Sequence, residues 1–406
     1  MAAIGTGEKN LLEVEAIRGL REATSVRSAA ITTVRVPLAT AGRWAAMTTW
    51  ALLLALLVSG AQGVEYDWWV ADDGVVLREA AWLPEGERRG TLVVLPGHQE
   101  FAEKYEELAE WATYRSWEVR FLEWRGQGLS DRVLEDRQKA HHRDFAIPAR
   151  DLADWLDARG EDLVGPVIVV AHSMGAHLAL RALIDRPLMP VDALVLAAPM
   201  LLPSTRPFPA AVARLSSALA VRLGFAERFA PGQGPHIPER QRFDRNPVTS
   251  DPDRWAVHHD HFRERPELAL GGVTWGWLDA AKRSWRVVDA AAPGTIHAPV
   301  LILSAPEDRM VVSRLHPDFC ARLADCELAV FPGARHELFM EADEHRQRVL
   351  QQVEAFLDRF ASGPKAASAP SQPGALLRWH DAGQTPPGSA AATSADAECR
   401  QLRRGR

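Results

Sequence analysis

The sequence predicts an α/β protein with a mostly parallel central sheet, helices on both faces and a helical cap insertion. Continuous apolar runs recur as "VIVVA", "ALVLAAP" and "VLILSAP", and such runs are typical of parallel strands covered on both faces. Segments with helical spacing of apolar residues separate these runs. The alternation stops between about Leu202 and Thr295, where helical pieces without buried-strand runs indicate an insertion at the C-terminal edge of the sheet.

The remaining elements follow from local patterns. "VEYDWWVADDGVVLREAAWLP" predicts a β-hairpin that turns at Asp72-Asp73-Gly74. "TLVVLPG" and "WEVRFLEW" predict two strands, and "FAEKYEELAEWATYR" between them predicts a helix from its apolar spacing. "DLADWLDARG" predicts the end of another helix. A last helix is predicted over "VLQQVEAFLDRF", where the apolar residues are Val349, Val353, Phe356 and Phe360.

These patterns divide the chain into a core, an insertion and terminal segments. The core comprises residues 64–201 and 296–361, and the cap insertion comprises residues 202–295. Residues 1–46 are rich in Ala, Thr and Arg without a core pattern, so we expect them to be poorly ordered. The tail 362–406 has too few large apolar residues to fold, and we expect it to be disordered.

The segment 47–63, "MTTWALLLALLVSGAQG", contains an apolar run that is short for a bilayer span. It matches the apolar region of a secretory signal, with Ala61-Gln62-Gly63 as the cleavage site. Arg35 and Arg43 would supply the basic flank, unless Met47 is the true start. The alternative is an apolar helix that packs on the domain. We favour export or membrane association, including association with a membrane surface, over a cytoplasmic location.

Composition and charge exclude several classes of function. The net charge is −6, and both ends are basic, so the folded middle is more acidic than the whole chain. Nucleic acid is therefore excluded as a partner, because phosphate binding needs clustered Lys and Arg. Only three cysteines are present, too few for a disulfide framework or a zinc site. Cys320 and Cys326 could pair in an oxidising compartment, but we expect two unrelated small buried residues.

Ser173 is the candidate nucleophile. It stands in Ala171-His172-Ser173-Met174-Gly175, a G-x-S-x-G nucleophile elbow with alanine at its first position. The tight turn needs small residues two positions before and after the serine. The following helix N-terminus offers positive potential to a developing oxyanion. A polar residue at a buried strand–helix junction is the alternative, but the strand before and the helix after favour the nucleophile.

A serine nucleophile needs a base, and the base needs an orienting carboxylate. In this architecture the order along the chain is Ser, Asp, His, each after a later strand. "VLILSAPEDRMVV" supplies Asp308, and "ELAVFPGARHELF" supplies His336. Glu307 is the alternative acid. Taken singly, Asp308 could be a helix N-cap and His336 an exposed loop histidine, but their order after Ser173 favours a catalytic triad.

The oxyanion hole and the substrate pocket have weaker signals. The backbone N–H groups of Met174 and His98 are the candidate oxyanion donors. The His98 side chain either covers the pocket or lies on the surface. The insertion contains four tryptophans that either line an acyl pocket or pack in the core, namely Trp255, Trp275, Trp277 and Trp285. Trp275 and Trp277 are the tentative substrate-binding pair.

No metal or organic cofactor is expected. His258, His259 and His261 are clustered, but no carboxylate or cysteine completes a metal spacing, and we expect them on the cap surface. We interpret His141-His142 in the same way. The "RGQG" loop lacks the lysine of a phosphate-binding P-loop.

The quoted motifs resemble a known family. "LPGHQEFAEKYEELAE", "EWRGQGLSDR", "AHSMGA", "SAPEDR" and "RHELF" are similar, in order, to motifs of the α/β-hydrolase fold. "RGQGLSDR", "AHSMG", "FDRNPVTSD" and "VTWGWLDAA" resemble bacterial lysophospholipases of the monoacylglycerol-lipase-like branch. The resemblance extends from about Asp67 to Phe360. Two residues depart from the family pattern. Ala176 replaces the usual second glycine of the elbow, and Pro96 stands before Gly97, where the wider branch often has histidine.

The resemblance implies a serine carboxylic-ester hydrolase, a lysophospholipase or monoacylglycerol lipase, that works through an acyl-enzyme. Ser173 would attack the ester, His336 would move the proton, and Asp308 would orient the imidazole. The implied substrate is a small-molecule ester or an ester of a single-chain lipid. The alternatives are an aminopeptidase-like amide hydrolase of the same fold and a non-catalytic binding protein.

Overall fold

The computed structural model describes residues 63–360. Our predictions for residues 1–46, for the apolar segment 47–63 apart from Gly63, and for the tail 362–406 lie outside this part. In the described part, eight strands form one sheet in the order β1-β2-β4-β3-β5-β6-β7-β8. Their bounds are β1 Glu65–Val70, β2 Val76–Trp82, β3 Gly90–Leu95, β4 Trp117–Leu122, β5 Val167–His172, β6 Ala193–Ala197, β7 Val300–Ser304 and β8 Cys326–Val330.

Most of the sheet is parallel, as predicted. β4, β3, β5, β6, β7 and β8 pair in parallel, whereas β1–β2 and β2–β4 are antiparallel. β3, β5, β6 and β7 are buried along their whole length, which explains their continuous apolar sequences. The hairpin between β1 and β2 is also confirmed: Val70 pairs with Val76 and Gly74 has a φ of +83° in the turn.

Eight α-helices connect or follow the strands of the described part. They are α1 Glu106–Thr113, α2 Ala146–Arg159, α3 Met174–Asp185, α4 Ala210–Arg222, α5 Pro252–Glu264, α6 Trp275–Thr295, α7 His316–Cys320 and α8 Asp343–Leu357. One core cluster includes residues of α2, α3 and α6, and a second includes residues of α1 and α8. Each cluster also contains alternating side chains of the central strands, so helices cover both faces of the sheet.

The helix predicted from Phe101 onward is interrupted at its start. Residues Ala102–Tyr105 form a 3₁₀ turn, and α1 begins at Glu106. The apolar face is nevertheless the predicted one, because Phe101, Tyr105 and Leu108 are buried.

The helices α4, α5 and α6 lie between β6 and β7, which are neighbours in the sheet. This long connection occupies the stretch where the sequence shows helical pieces without strand runs. The insertion limits 202–295 and the core limits given above stay predictions, since the fold alone does not delimit a separate unit there.

The expectation that Cys320 and Cys326 are unrelated was wrong. The two residues form a disulfide, with their Cα atoms 5.4 Å apart. α7 ends at Cys320 and β8 begins at Cys326, so the short connection between them brings the thiols together. The spacing of six residues gave no indication of this turn.

Across residues 63–360, no helix is both long enough and apolar enough to cross a bilayer.

Candidate active site

The fold places two loops side by side at the carboxyl edge of the sheet. β3 and β5 are neighbours, but β3 leads to β4 on one side and β5 leads to β6 on the other, so the connections leaving β3 and β5 run in opposite directions along the sheet. Leu95, the last residue of β3, is paired with Ala171 near the end of β5. Such a switch point opens a crevice where ligands of open α/β sheets bind. The loop that follows β3 and the turn that follows β5 both border it.

Ser173 occupies the turn between β5 and α3. Its backbone has φ +50° and ψ −113°, a conformation that costs free energy for a residue with a side chain and is typical of functional turns. Gly175 explains part of the turn's sequence. A Cβ atom on Gly175 would lie 2.5 Å from the carbonyl oxygen of Pro96 and 2.6 Å from that of Leu95. Glycine is therefore required for the close approach of α3 to the loop after β3.

The structure brings Ser173, His336 and Asp308 into one hydrogen-bonded chain. The Nε2 atom of His336 lies 2.9 Å from Ser173 Oγ. The Nδ1 atom of the same ring lies 2.6 Å from Asp308 Oδ2. All three residues are at least nine-tenths buried. Geometrically, the ring can accept the hydroxyl proton at one nitrogen while it donates its other N–H to the carboxylate.

Asp308 is held as a carboxylate by its surroundings. Its Oδ1 atom accepts hydrogen bonds from the backbone N–H groups of Met310 and Val311, at 2.7 and 3.0 Å. Burial alone would raise the pKa of Asp308, but the charge of the His336 ring and these hydrogen bonds lower it below its ordinary value. The alternative acid, Glu307, is exposed and accepts a hydrogen bond from the Gly333 N–H instead.

Of the two backbone groups predicted for an oxyanion hole, Met174 N–H adjoins Ser173 in the chain, and His98 N–H stays a prediction that rests on its neighbour Gly97. Met174 is the first residue of α3, so its N–H belongs to the helix N-terminus. Gly97 faces the serine, since a Cβ atom built on it would lie 3.2 Å from Ser173 Cβ. His98 follows Gly97 directly.

The His98 ring packs against Trp277, with ring centroids 5.8 Å apart. Burial lowers the pKa of His98 to about 4, so the ring is neutral at physiological pH. Trp277 also meets Phe145 edge to face at 5.3 Å. Of the two tentative pocket residues, Trp277 contacts the loop after β3 and is itself a buried member of the main core, whereas Trp275 is partly buried against that core.

The other two tryptophans considered for the pocket pack elsewhere. Trp255 contacts Phe243 and His259, and Trp285 contacts Phe319. The packing interpretation therefore describes both of them.

A buried charged network behind the serine was missed in the sequence. The carboxylate of Glu100 accepts hydrogen bonds from the Tyr105 hydroxyl at 2.6 Å and from Lys104 Nζ at 2.8 Å. It also bonds the Nδ1 atom of His172 at 2.9 Å and the backbone N–H of Gly97. Glu100 thus fixes both the residue before the nucleophile and the glycine of the neighbouring loop.

Electrostatics keep this network ionised. Burial would raise the pKa of Glu100, but the charges of His172 and Lys104 outweigh it and hold that pKa well below its ordinary range. Burial would lower the pKa of His172, but the Glu100 carboxylate raises it. Lys104 forms a second ion pair, with Glu337 at 2.7 Å.

One sequence signal could have revealed the network. Lys104 is three residues after Phe101 and four before Leu108, which places a cation on the apolar face of the predicted helix. A charged residue on a buried face is almost always paired. Glu100, four residues before Lys104, was the available partner.

The expectation that the clustered histidines lie on the surface needs correction. His141 and His142 are buried, because His141 bonds the Thr274 hydroxyl that caps α6 and His142 packs edge to face on Phe145. The three histidines of α5 are half-buried, and His258 contacts Phe101 and Phe262. Within residues 63–360, no group of three or more His, Cys, Asp or Glu residues is arranged to hold a metal ion.

Comparisons with known proteins agree on the family. The family model described as "Serine aminopeptidase, S33" matches residues 86–343. Lysophospholipase L2 of Escherichia coli strain K12 is 30% identical over 292 residues, which are 67% of this chain and 81% of the relative. The monoacylglycerol lipase of Mycolicibacterium smegmatis is 27% identical, over 67% of this chain and 89% of the relative.

Solved structures agree on the fold. A soluble variant of the Saccharomyces cerevisiae monoglyceride lipase superimposes with a TM-score of 0.59 at 16% identity, over 74% of this chain and 97% of that one. A carboxyl esterase from Bacillus coagulans superimposes with a TM-score of 0.58 at 16% identity, over 74% of this chain and 99% of the esterase chain. The match of the family model and the E. coli relative, together with this fold, show that the chain belongs to the S33 serine aminopeptidase family of α/β-hydrolase-fold proteins.

Proposed function

We propose that this chain is a serine carboxylic-ester hydrolase that acts through an acyl-enzyme on Ser173. The observation that supports the proposal most strongly is the hydrogen-bonded chain from Asp308 through His336 to Ser173 Oγ, at 2.6 and 2.9 Å. A strained elbow backbone at the serine, a neighbouring helix N-terminus and a switch-point crevice complete the requirements for acyl transfer.

In the proposed reaction, His336 Nε2 accepts the proton of Ser173 as Oγ attacks the ester carbonyl. The carbonyl oxygen becomes an oxyanion that the backbone N–H groups of Met174 and His98 stabilise. The C–O bond to the alcohol then breaks, and the alcohol leaves with the proton from His336. A water molecule attacks the acyl-enzyme by the same route in reverse, which releases the acid and returns the proton to Ser173.

Asp308 has two tasks in this scheme. Its bond to Nδ1 keeps the neutral ring in the tautomer whose Nε2 atom is free to accept a proton. Its negative charge stabilises the imidazolium that forms during the attack. The pKa of Asp308, lowered below its ordinary value, keeps the carboxylate charged at neutral pH.

We propose a single-chain lipid ester, a lysophospholipid or a monoacylglycerol, as the substrate. The support is the similarity to lysophospholipase L2 and to monoacylglycerol lipase over two thirds of the chain. The aromatic contact between His98 and Trp277 places apolar surroundings beside the proposed oxyanion loop, which suits an acyl chain.

Amide hydrolysis is the second candidate, favoured by the family description. An aminopeptidase needs a carboxylate that is free to bind the amino terminus of its substrate. Glu100 and Glu337, the carboxylates built into the site's surroundings, are both paired with Lys104. Because both carboxylates are already paired, an ester is favoured over a peptide as the substrate. A binding protein without activity is disfavoured, because such proteins usually lack a triad member and this chain has all three.

A substrate panel tests the proposal. Purified protein and its Ser173→Ala variant are assayed on p-nitrophenyl esters of graded acyl length, a lysophospholipid, a monoacylglycerol and amino-acid nitroanilides. We expect turnover of esters, with preference for the lipid substrates, and none by Ser173→Ala. Turnover of nitroanilides in preference to esters would favour the aminopeptidase instead. Folded wild-type protein that turns over none of these substrates would contradict the proposal.

We further propose that the enzyme works at a membrane surface. The exposed side of α4 and its C-terminal end carries large apolar side chains at spacings of three and four residues, namely Val212, Leu215, Leu219 and Leu223. Leu215 is 73% exposed. An apolar helix face of this kind binds to the boundary between lipid headgroups and acyl chains.

Vesicle binding tests this surface. Co-sedimentation with phosphatidylcholine–phosphatidylglycerol vesicles should decrease when Leu215 and Leu219 are both changed to Ser. The matched control is Leu188→Ser, which removes an equally large side chain that is 96% exposed in the turn between α3 and β6. Equal binding by all three proteins would contradict the proposal.

We also propose that the protein is exported. The support is the Cys320–Cys326 disulfide, since disulfides persist mainly in oxidising compartments. Fractionation of cells that express the full chain, with thiol labelling before lysis, tests this proposal. A reduced protein found in the cytoplasm would overturn it and leave the cytoplasmic alternative.

A further inference from the structure

A second set of hydrogen bonds surrounds His336, in the loop between β8 and α8. Glu341 lies in this loop and is fully buried. Its Oε1 atom accepts the backbone N–H of Arg335 at 2.5 Å. Its Oε2 atom accepts the N–H of Ser250 at 2.9 Å, the Ser250 hydroxyl, and the N–H of Ala342 at 3.1 Å. A carboxylate accepts only, and here every partner donates.

Ser250 belongs to the long connection between β6 and β7, not to the histidine loop. We define the clasp as residues 246–251, the segment just before α5. Glu341 therefore joins two segments that are 91 residues apart in the chain. Because the carboxylate lies at the centre of these four bonds and is shielded from water, loss of its charge would leave several donors unsatisfied.

The clasp also bonds the two residues that flank His336. The N–H of Glu337 donates to the carbonyl of Val248 at 2.8 Å. The guanidinium of Arg335 donates to the carbonyls of Asn246 and Thr249, at 3.1 and 2.6 Å. Both neighbours of the histidine are thus tied to one segment of the chain.

Thr249 completes the connection. Its side chain is fully buried, and its hydroxyl donates to the Met340 carbonyl at 2.6 Å. The same hydroxyl accepts the N–H of Asp251, the residue that caps α5. On α5, Arg254 donates to the Glu341 carbonyl at 2.7 Å. The histidine loop is therefore connected through the clasp to the first turn of α5.

We infer that the clasp, with Glu341 at its centre, positions His336 for catalysis and couples that position to α5. Glu341 and Thr249 are positioning residues in this scheme, because they act through the backbone on either side of the imidazole and not on the substrate. The catalytic part of this inference rests on the proposed function, in which His336 is the general base. Reaction geometry is sensitive to small displacements, since an error of about 1 Å can cost about 100-fold in rate.

The test compares two variants with a matched control. Glu341→Gln removes the charge and presents an amide donor to N–H groups, and Thr249→Val removes only the buried hydroxyl. The control is Glu118→Gln. Glu118 is equally buried and is ion-paired with Arg88 at 2.6 Å, but it lies near the amino end of β4, away from the carboxyl edge.

Four quantities are measured for each protein: the rate constant of Ser173 labelling by a fluorophosphonate, kcat and KM on a soluble ester, and the thermal midpoint. We expect both clasp variants to lower the labelling rate and kcat by about tenfold or more, with KM changed by less than about twofold. We expect Glu118→Gln to lower the thermal midpoint but to keep the labelling rate. The inference would be overturned if the clasp variants were labelled at the wild-type rate, or if the labelling rate of Glu118→Gln decreased as much as theirs.

A readout without turnover separates this inference from the proposed function. The proton between His336 Nδ1 and Asp308 gives a low-field ¹H NMR signal, identified by its absence in His336→Gln. The clasp predicts that Glu341→Gln and Thr249→Val shift or broaden this signal and that Glu118→Gln does not. If the wild type hydrolyses no ester, the proposed function fails, but the NMR comparison still tests whether the clasp positions His336. An unchanged signal in both clasp variants would overturn it.

Discussion

The substitution Asp308→Asn tests the proposed triad through the tautomer of His336. The two backbone N–H groups of Met310 and Val311 point at Asp308 Oδ1. An asparagine would keep its carbonyl oxygen toward these donors, so its NH₂ group would face His336 Nδ1. The ring would then have to accept at Nδ1 and carry its proton on Nε2. In that tautomer it cannot accept the proton of Ser173.

The expected loss is large and specific. A wrong tautomer with intact geometry lowers kcat by about 10,000-fold in a triad hydrolase, which corresponds to about 5 kcal/mol of transition-state stabilisation. The side chains are isosteric, so we expect a folded protein with almost unchanged KM. The assay is kcat on a p-nitrophenyl ester, with the circular dichroism spectrum as a check of folding.

Glu307→Gln is the matched control for this experiment. Glu307 precedes Asp308 and is exposed, so we expect the kcat of the Glu307→Gln variant to stay within about twofold of the wild-type value. A folded Asp308→Asn protein that keeps more than a tenth of the wild-type kcat would refute the tautomer argument. A larger loss in Glu307→Gln would assign the acid to the neighbouring residue.

Three further predictions concern the surroundings of the site. Gly175→Ala should destabilise the fold by about 1–3 kcal/mol in urea unfolding, because its Cβ would overlap the carbonyls after β3, whereas Gly294→Ala, with open space around it, should not. Lys104→Met should cost about 3–5 kcal/mol, because the buried Glu100 and the partly buried Glu337 both lose the cation that they share; a loss below about 1 kcal/mol would contradict the ion-pair argument. The pair of Glu100 and His172 should stabilise the fold fully above the ordinary carboxyl pKa of 4.5 and below the ordinary imidazole pKa of 6.5. This contribution should be lost as pH falls through the lowered carboxyl pKa or rises through the raised imidazole pKa, and parallel pH–stability curves for wild type and Glu100→Gln would refute it.

The fold and the elbow could be predicted because their signals are local. β5 and α3 are adjacent in the chain, and the small residues around Ser173 reflect the sterics of a single turn. Asp308 and His336 could be located because the carboxyl ends of parallel strands meet at one edge. The buried central strands followed from their apolar runs, and the hairpin followed from its turn at Asp72-Asp73-Gly74.

Features that depend on contacts between distant segments were missed. The Glu100 network joins the loop after β3 to the end of β5, so its local pair with Lys104 is visible in one stretch of sequence but its bond to His172 is not. His141 and His142 have polar side chains, but the fold buries both, His141 against the Thr274 cap of α6 and His142 against Phe145. The Cys320–Cys326 disulfide depends on the turn between α7 and β8, and the sequence of residues 321–325 did not specify that turn.

The most direct measurement of the central claim is the location of a covalent adduct. Wild-type protein is treated with a fluorophosphonate, digested and analysed by mass spectrometry. We predict one modified peptide, with the adduct on Ser173, and no adduct in Ser173→Ala. No adduct in folded wild-type protein, an adduct on another residue, or full ester hydrolysis by Ser173→Ala would contradict the account.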